Sequence, residues 1–178
     1  MARLVALLRG INLGPRNRIA MPDLRSRLEA AGYRAVQTHL QSGNVVLDTR
    51  QGTEKAARAI EKEIHDGFGL SVDVIVRTAA EIGDVVAANP LGEVATNGSR
   101  HFVVFLSEEP DGDAIAALER EDFEPERLVA RGREIYLWCP DGVRDSRVMK
   151  AATRQRLTPT ATFRNWNTIT KLHELASA

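Results

Sequence analysis

At 178 residues, with 43% hydrophobic and 27% charged side chains, the chain has the composition of an ordinary globular protein of one generous domain or two small ones. Its 24 basic and 24 acidic residues cancel. That excludes a general electrostatic affinity for nucleic acid or an anionic membrane and leaves room only for a local basic patch. The single cysteine, Cys139, precludes an intrachain disulfide. Set behind Tyr136, Leu137 and Trp138, it reads as a small buried hydrophobe rather than a reactive thiol. No apolar run approaches the ~20 residues of a membrane span, and the N-terminus passes from Arg3 directly into a strand pattern without signal-peptide features. The expected location is the cytoplasm, with no membrane partner.

Residues 4–8 are a short apolar run ended by Arg9-Gly10, the pattern of a buried strand. A long aperiodic loop with Gly10, Gly14 and Pro15 follows, and Met21-Pro22-Asp23 then opens a helix striped by Leu24, Leu28 and Ala31 and stopped by Gly32. Strands are expected at 34–40 and 44–49, around a Gln41-Ser42-Gly43 turn. Thr53 caps a helix to about 66, carrying Ala56, Ala57, Ile60 and Ile64 on one face, and Val72, Val74 and Val76 alternate along a strand at 71–77. A helix at 78–88 closes at Asn89-Pro90, and the Gly- and Asn-containing stretch 91–100 reads as a connecting loop. The order then begins again: strand 101–106, helix 111–120, a hairpin of 127–130 and 134–139 around Arg131-Gly132-Arg133, helix 143–154, a short strand at 161–163, and a final helix at 165–175.

Two consecutive β-α-β-β-α-β orders predict an α+β fold of two tandem ferredoxin-like units with mainly antiparallel sheets, plus a C-terminal helix. The expected division is 1–90, a first unit with its following helix; 91–100, a connecting loop; and 101–178, a second unit with the last helix. In such a unit the first two strands are parallel, with the third between them. The loop starting Arg9-Gly10-Ile11-Asn12 and the turn Gln41-Ser42-Gly43-Asn44 therefore fall at one end of the sheet, beside the start of the first helix.

The residue types gathered there suit an anion. Glycines allow positive φ and close backbone approach; a helix N-terminus presents N–H groups and partial positive charge. Arg9, Arg16 and Arg18 offer fork-shaped donors, and Asn12, Ser42 and Asn44 directional hydrogen bonds. Loops as long as the one after residue 8 are uncommon in compact units unless functional or disordered. A third polar segment, Arg164-Asn165-Trp166-Asn167-Thr168, leads into the last helix. Helical spacing places Trp166, Ile169, Leu172 and His173 on one face and Arg164, Asn167 and Lys171 on the other. The candidate ligand-binding set is thus Arg9, Gly10, Asn12, Gln41, Ser42, Gly43, Asn44, Arg164, Asn165, Asn167 and Lys171.

Taken in order, Arg9-Gly10-Ile11-Asn12, Met21 with Leu24, Gln41-Ser42-Gly43-Asn44, Asn89-Pro90 and Arg164-Asn165-Trp166-Asn167-Thr168 resemble the bacterial proteins grouped as domain of unknown function 1697. The resemblance spans essentially the whole chain. It implies two ferredoxin-like halves and brings no established activity or catalytic residue. The chain departs from that family's common pattern at Pro15, where a second glycine is frequent, at His39, where tyrosine is, and at Phe163, where threonine is.

Several chemistries find no support in the sequence. His39, His65, His101 and His173 lack the spacing of metal ligands, and no phosphate-binding loop, dinucleotide fingerprint or nucleophile elbow is present. Neither a metal nor a cofactor is expected. Residues 4–8 and 45–47 carry no aromatic side chain with which to stack RNA bases. The expected role is binding of a small anionic ligand, a phosphorylated metabolite or nucleotide, at the rim formed by the first two segments. The alternative is a nucleic-acid or protein interaction module using Arg16, Arg18, Arg164 and Lys171. Any catalysis would rest on positioned Arg and Asn groups alone.

Overall fold

A computed structural model describes residues 1–154 and 157–178. The chain divides into two compact units, Met1–Asp84 with Lys171–Ala178, and Val85–Thr170. The first contains β1 (Ala2–Leu8), α1 (Met21–Ala30), β2 (Arg34–His39), β3 (Asn44–Thr49), α2 (Thr53–Phe68) and β4 (Val74–Thr78), followed by α3 (Ala79–Ala88). The second contains β5 (His101–Leu106), α4 (Gly112–Glu119), β6 (Arg127–Arg131), β7 (Glu134–Trp138), α5 (Arg147–Arg154) and β8 (Ala161–Asn165), followed by α6 (Trp166–Ser177). The expected connecting segment 91–100 lies inside the second unit. Its turns are tied there by Cys139 N donating to Arg100 O and Trp166 N to Gly98 O.

The sheets have corresponding strand orders, β2-β3-β1-β4 and β6-β7-β5-β8, and every pairing is antiparallel. This is the ferredoxin-like arrangement, twice over. It follows from apolar alternation in each strand. Leu4, Ala6 and Leu8 of β1, Val45 and Leu47 of β3, and Val74 and Val76 of β4 face Leu24 and Leu28 of α1 and Ala56, Ile60 and Ile64 of α2. Val5, Leu7, Val46 and Ile75, on the opposite face, are buried too. A strand buried on both faces loses its polar alternation, which is why β1 reads as a continuous apolar run. Each of these large side chains contributes about 1.5–3 kcal/mol of transfer free energy. In the second unit Phe102, Val104, Leu106, Ile135, Leu137 and Val148 form the corresponding core, joined by the buried Cys139. That thiol is fully buried, 3.3 Å from Ser146 Oγ, and burial pushes its pKa up to about 11.

Among the boundaries that differ from expectation, β4 starts at Val74 rather than at 71, and three others have a reason in the hydrogen bonds. Gly52, not Thr53, is the cap of α2, and it supplies no side-chain hydrogen bond. α5 starts at Arg147 rather than at 143, because its first turn is satisfied by the adjoining Ser146, whose Oγ accepts from Met149 N, and by the sequence-distant Glu126, whose Oε2 accepts from the N–H of Arg147 and Val148. β8 runs to Asn165, so α6 begins at Trp166, where Asn165 Oδ1 accepts from Thr168 N at 2.9 Å.

Candidate functional site

The end of the first sheet where β1 and β2 terminate brings the first two polar segments together, as the topology requires. Asn12 joins them. Its side-chain N–H groups donate to Gln41 O at 2.7 Å and Ile19 O at 2.9 Å, while its Oδ1 accepts from Ile19 N at 2.9 Å. Its backbone N–H donates to Asn17 O, and both asparagines have positive φ, 55° and 54°. The loop after β1 is thus a closed, hydrogen-bonded structure clamped onto the turn after β2. Asn12 is its brace.

The turn is equally constrained. Leu8 N donates to Gly43 O at 2.9 Å. Gly43 has φ 86°, and a Cβ there would lie 2.7 Å from Ile11 Cδ1 and 2.8 Å from Leu8 Cβ. Only glycine fits that approach. Asn44 is fully buried, and its amide donates to His39 O at 2.8 Å and Ser42 Oγ at 3.1 Å. Asn44 therefore shapes the turn from inside the protein.

What faces solvent at this end is cationic and backbone-rich. Arg9 is largely exposed and makes a long ion pair of 3.5 Å with the equally exposed Asp73, an interaction worth under about 1 kcal/mol. Gly10 has φ 69° and, with Gln41, is exposed. Arg16 and Arg18 are exposed, and Arg18 Nε donates to Gly14 O. α1 opens nearby at Met21-Pro22 with Ala20 as a cap that offers no side-chain hydrogen bond. His39 ends β2, and burial together with the positive charge of Lys171 holds its imidazole below the ordinary value. Lys171 thus adds its charge to this end of the first unit, while its Nζ contacts Glu174 at 3.0 Å.

The remainder of the third segment does something different. Arg164 lies in β8, not in a helical first turn with Asn167 and Lys171. It is buried, and its Nη1 donates to Thr162 Oγ1 and Phe163 O, both at 2.8 Å. Burial lowers its pKa to about 10, which still leaves it charged at neutral pH. Asn165 caps α6, and Asn167 is exposed at the start of that helix. Arg77 is the counterpart that sequence reasoning missed. It stands opposite Val5 as Arg164 stands opposite Val103, on the sheet face away from its unit's core helices, and it is 1% exposed. Each buried arginine is followed by a helix cap: Thr78 Oγ1 accepts from Glu81 N and Glu81 Oε2 from Thr78 N, a reciprocal box. The recurring signal was an arginine before a capping residue at the end of the fourth strand of each unit.

Among the described residues no three His, Cys, Asp or Glu side chains converge as a metal site, and no helix is long and apolar enough to cross a membrane.

The chain is thus an α+β protein of two ferredoxin-like units, the first of which carries a cationic loop clamped to a glycine turn. It belongs to the family described as "Protein of unknown function (DUF1697)", whose profile matches residues 1–136. It is similar in structure to "conserved bacterial protein SP0830 from Streptococcus pneumoniae", with a TM-score of 0.79 and 20% identity over 98% of each chain; at that identity the likeness shows the fold. No curated protein matches the chain.

Proposed function

We propose that this protein binds a small anionic ligand, a phosphorylated metabolite or nucleotide, in the cytoplasm, at the rim formed by the Arg9–Asn12 loop and the Gln41–Asn44 turn. The observation that carries the reading is the 2.7 Å hydrogen bond from Asn12 to Gln41 O, which holds an arginine-bearing loop against a glycine turn. Preordering matters because a loop already fixed by its own hydrogen bonds loses little entropy when a ligand arrives. Arg9 is the leading donor: its exposed ion pair with Asp73 is weak enough for a phosphate, a doubly charged acceptor, to displace. Gly10 is exposed with no atom where a Cβ would stand, so a ligand can approach its backbone closely, and Lys171 adds long-range attraction. The buried Arg164 and the capping Asn165 have structural partners and stand outside this binding set.

The test is a thermal-shift screen of phosphorylated metabolites and nucleotides on the wild type and Arg9→Ala. A compound that raises the melting temperature of the wild type and not of the variant supports the reading; 100-fold excess over Kd corresponds to about 2.7 kcal/mol of added stability. If no compound shifts either protein, the reading fails. Oligonucleotide binding that falls steeply with salt would favour the interaction-module alternative through Arg16 and Arg18.

A further inference from the structure

We infer that the ligand of this rim is amphipathic: an anion carrying an apolar or aromatic group next to its charge, rather than an all-polar sugar phosphate. This deepens the reading above and rests on it. Five large hydrophobic side chains are exposed among the described residues: Met1, Leu13, Leu40, Val94 and Phe163. Two of them flank the hydrogen bond that joins loop to turn, Leu13 following Asn12 and Leu40 preceding Gln41. Leu13 is 82% and Leu40 54% exposed, so neither contributes much to the core. A single exposed leucine is unremarkable on any protein surface, whereas two that adjoin the hydrogen-bonded Asn12 and Gln41 belong to the rim those residues form.

Leu40 adds an independent reason. Its φ is 59°, a left-handed conformation that costs a leucine free energy and that glycine or asparagine would adopt readily. The turn therefore places a leucine at a left-handed position with about half of its surface in solvent. A ligand whose charged group meets Arg9 and whose apolar part covers Leu13 and Leu40 would use both halves of the surface. The charge complementarity of Arg9, Arg16 and Arg18 selects an anion as that occupant over a neutral apolar molecule.

Isothermal titration with inorganic phosphate and with phenyl phosphate tests this on the wild type and on the Leu13→Ser/Leu40→Asn double variant. Both substitutions are at exposed positions, and asparagine suits the left-handed backbone, so the variant should melt no lower than the wild type. Covering about 60 Å² of apolar surface corresponds to about a tenfold gain in affinity. The wild type should bind phenyl phosphate about tenfold more tightly than phosphate, and the variant should bind both with the phosphate affinity of the wild type. Equal affinities in the wild type, or a preference retained in the variant, would overturn the inference and leave anion binding standing. A ligand-free dimer in sedimentation that the double variant abolishes would also overturn it, because a second copy then covers the leucines. Absence of binding by either anion would overturn the inference, while the metabolite and nucleotide screen decides the reading it rests on.

Discussion

Replacing His101 with phenylalanine should remove an acid sensitivity built into the second unit. His101 opens β5 at 1% exposure, its ring stacked on Trp166 at 4.5 Å between centroids and 13° between planes. Its Nε2 is buried without a hydrogen-bond partner among the described residues. Burial lowers the imidazole from 6.5 to about 4, so the native state holds it neutral while the unfolded chain protonates it near its ordinary value. The native state then binds fewer protons than the unfolded state throughout that window, and stability falls as pH falls. The contribution is intact above about pH 6.5. Each pH unit below it costs up to about 1.4 kcal/mol, which amounts to about 2 kcal/mol between about pH 7 and about pH 5, and about 3 kcal/mol once the folded protein also titrates. Phenylalanine keeps the flat ring and the stack but has no titrating nitrogen, so that loss disappears. At neutral pH the variant should equal the wild type or exceed it by about 1 kcal/mol, the orphaned nitrogen being gone. Urea unfolding of both proteins across this range, followed by tryptophan fluorescence and circular dichroism, gives the difference directly. His39, also held low by burial and Lys171, is common to both proteins and cancels. Parallel stability curves for the two proteins would refute the account of His101.

Gly43→Ala should cost about 2–4 kcal/mol in chemical denaturation, because the added Cβ meets Ile11 and Leu8 inside the rim at a positive φ. Leu40→Gly, in contrast, should stabilise the protein by about 1 kcal/mol by relieving the left-handed backbone, read as a higher urea midpoint. Arg3 grips Asp48 through two hydrogen bonds of 2.8 and 3.1 Å and also donates to the carbonyls of Leu175 and Ala178. Arg3→Ala should therefore lower stability by about 1–2 kcal/mol. The hydrogen bond from Arg3 holds Asp48 below its usual range, so this stability is present above about pH 4 and lost as pH falls through the folded pKa. Unfolding curves of wild type and Asp48→Asn should converge below that point.

The rim was legible from the sequence because it depends on topology and glycine. Once strands were read at 4–8, 34–40 and 44–49, the ends of the first two had to be neighbours, and Gly43 marks the close contact. Less legible was which polar groups remain available. Asn44 and Arg164 are residues of a type usually found at surfaces, yet both are buried with partners that only the folded chain supplies: His39 O and Ser42 Oγ for the first, Thr162 Oγ1 and Phe163 O for the second. Period alone could not place Arg164, because β8 continues two residues past the expected 161–163 before the helix begins. The start of α5 was hidden for a similar reason, its first turn being satisfied by Glu126, 21 residues before Arg147. The exposed Leu13 and Leu40 are a converse case: the sequence shows their hydrophobicity but not their exposure.

Backbone amide chemical shifts during titration with a phosphorylated compound test the rim most directly. Perturbations should concentrate at Gly10, Asn12, Gln41, Ser42 and Gly43, weaken in Arg9→Ala, and leave β8 around Arg164 unchanged. Perturbations centred on β8 and the start of α6, with the loop after β1 and the turn after β2 silent, would contradict the proposal.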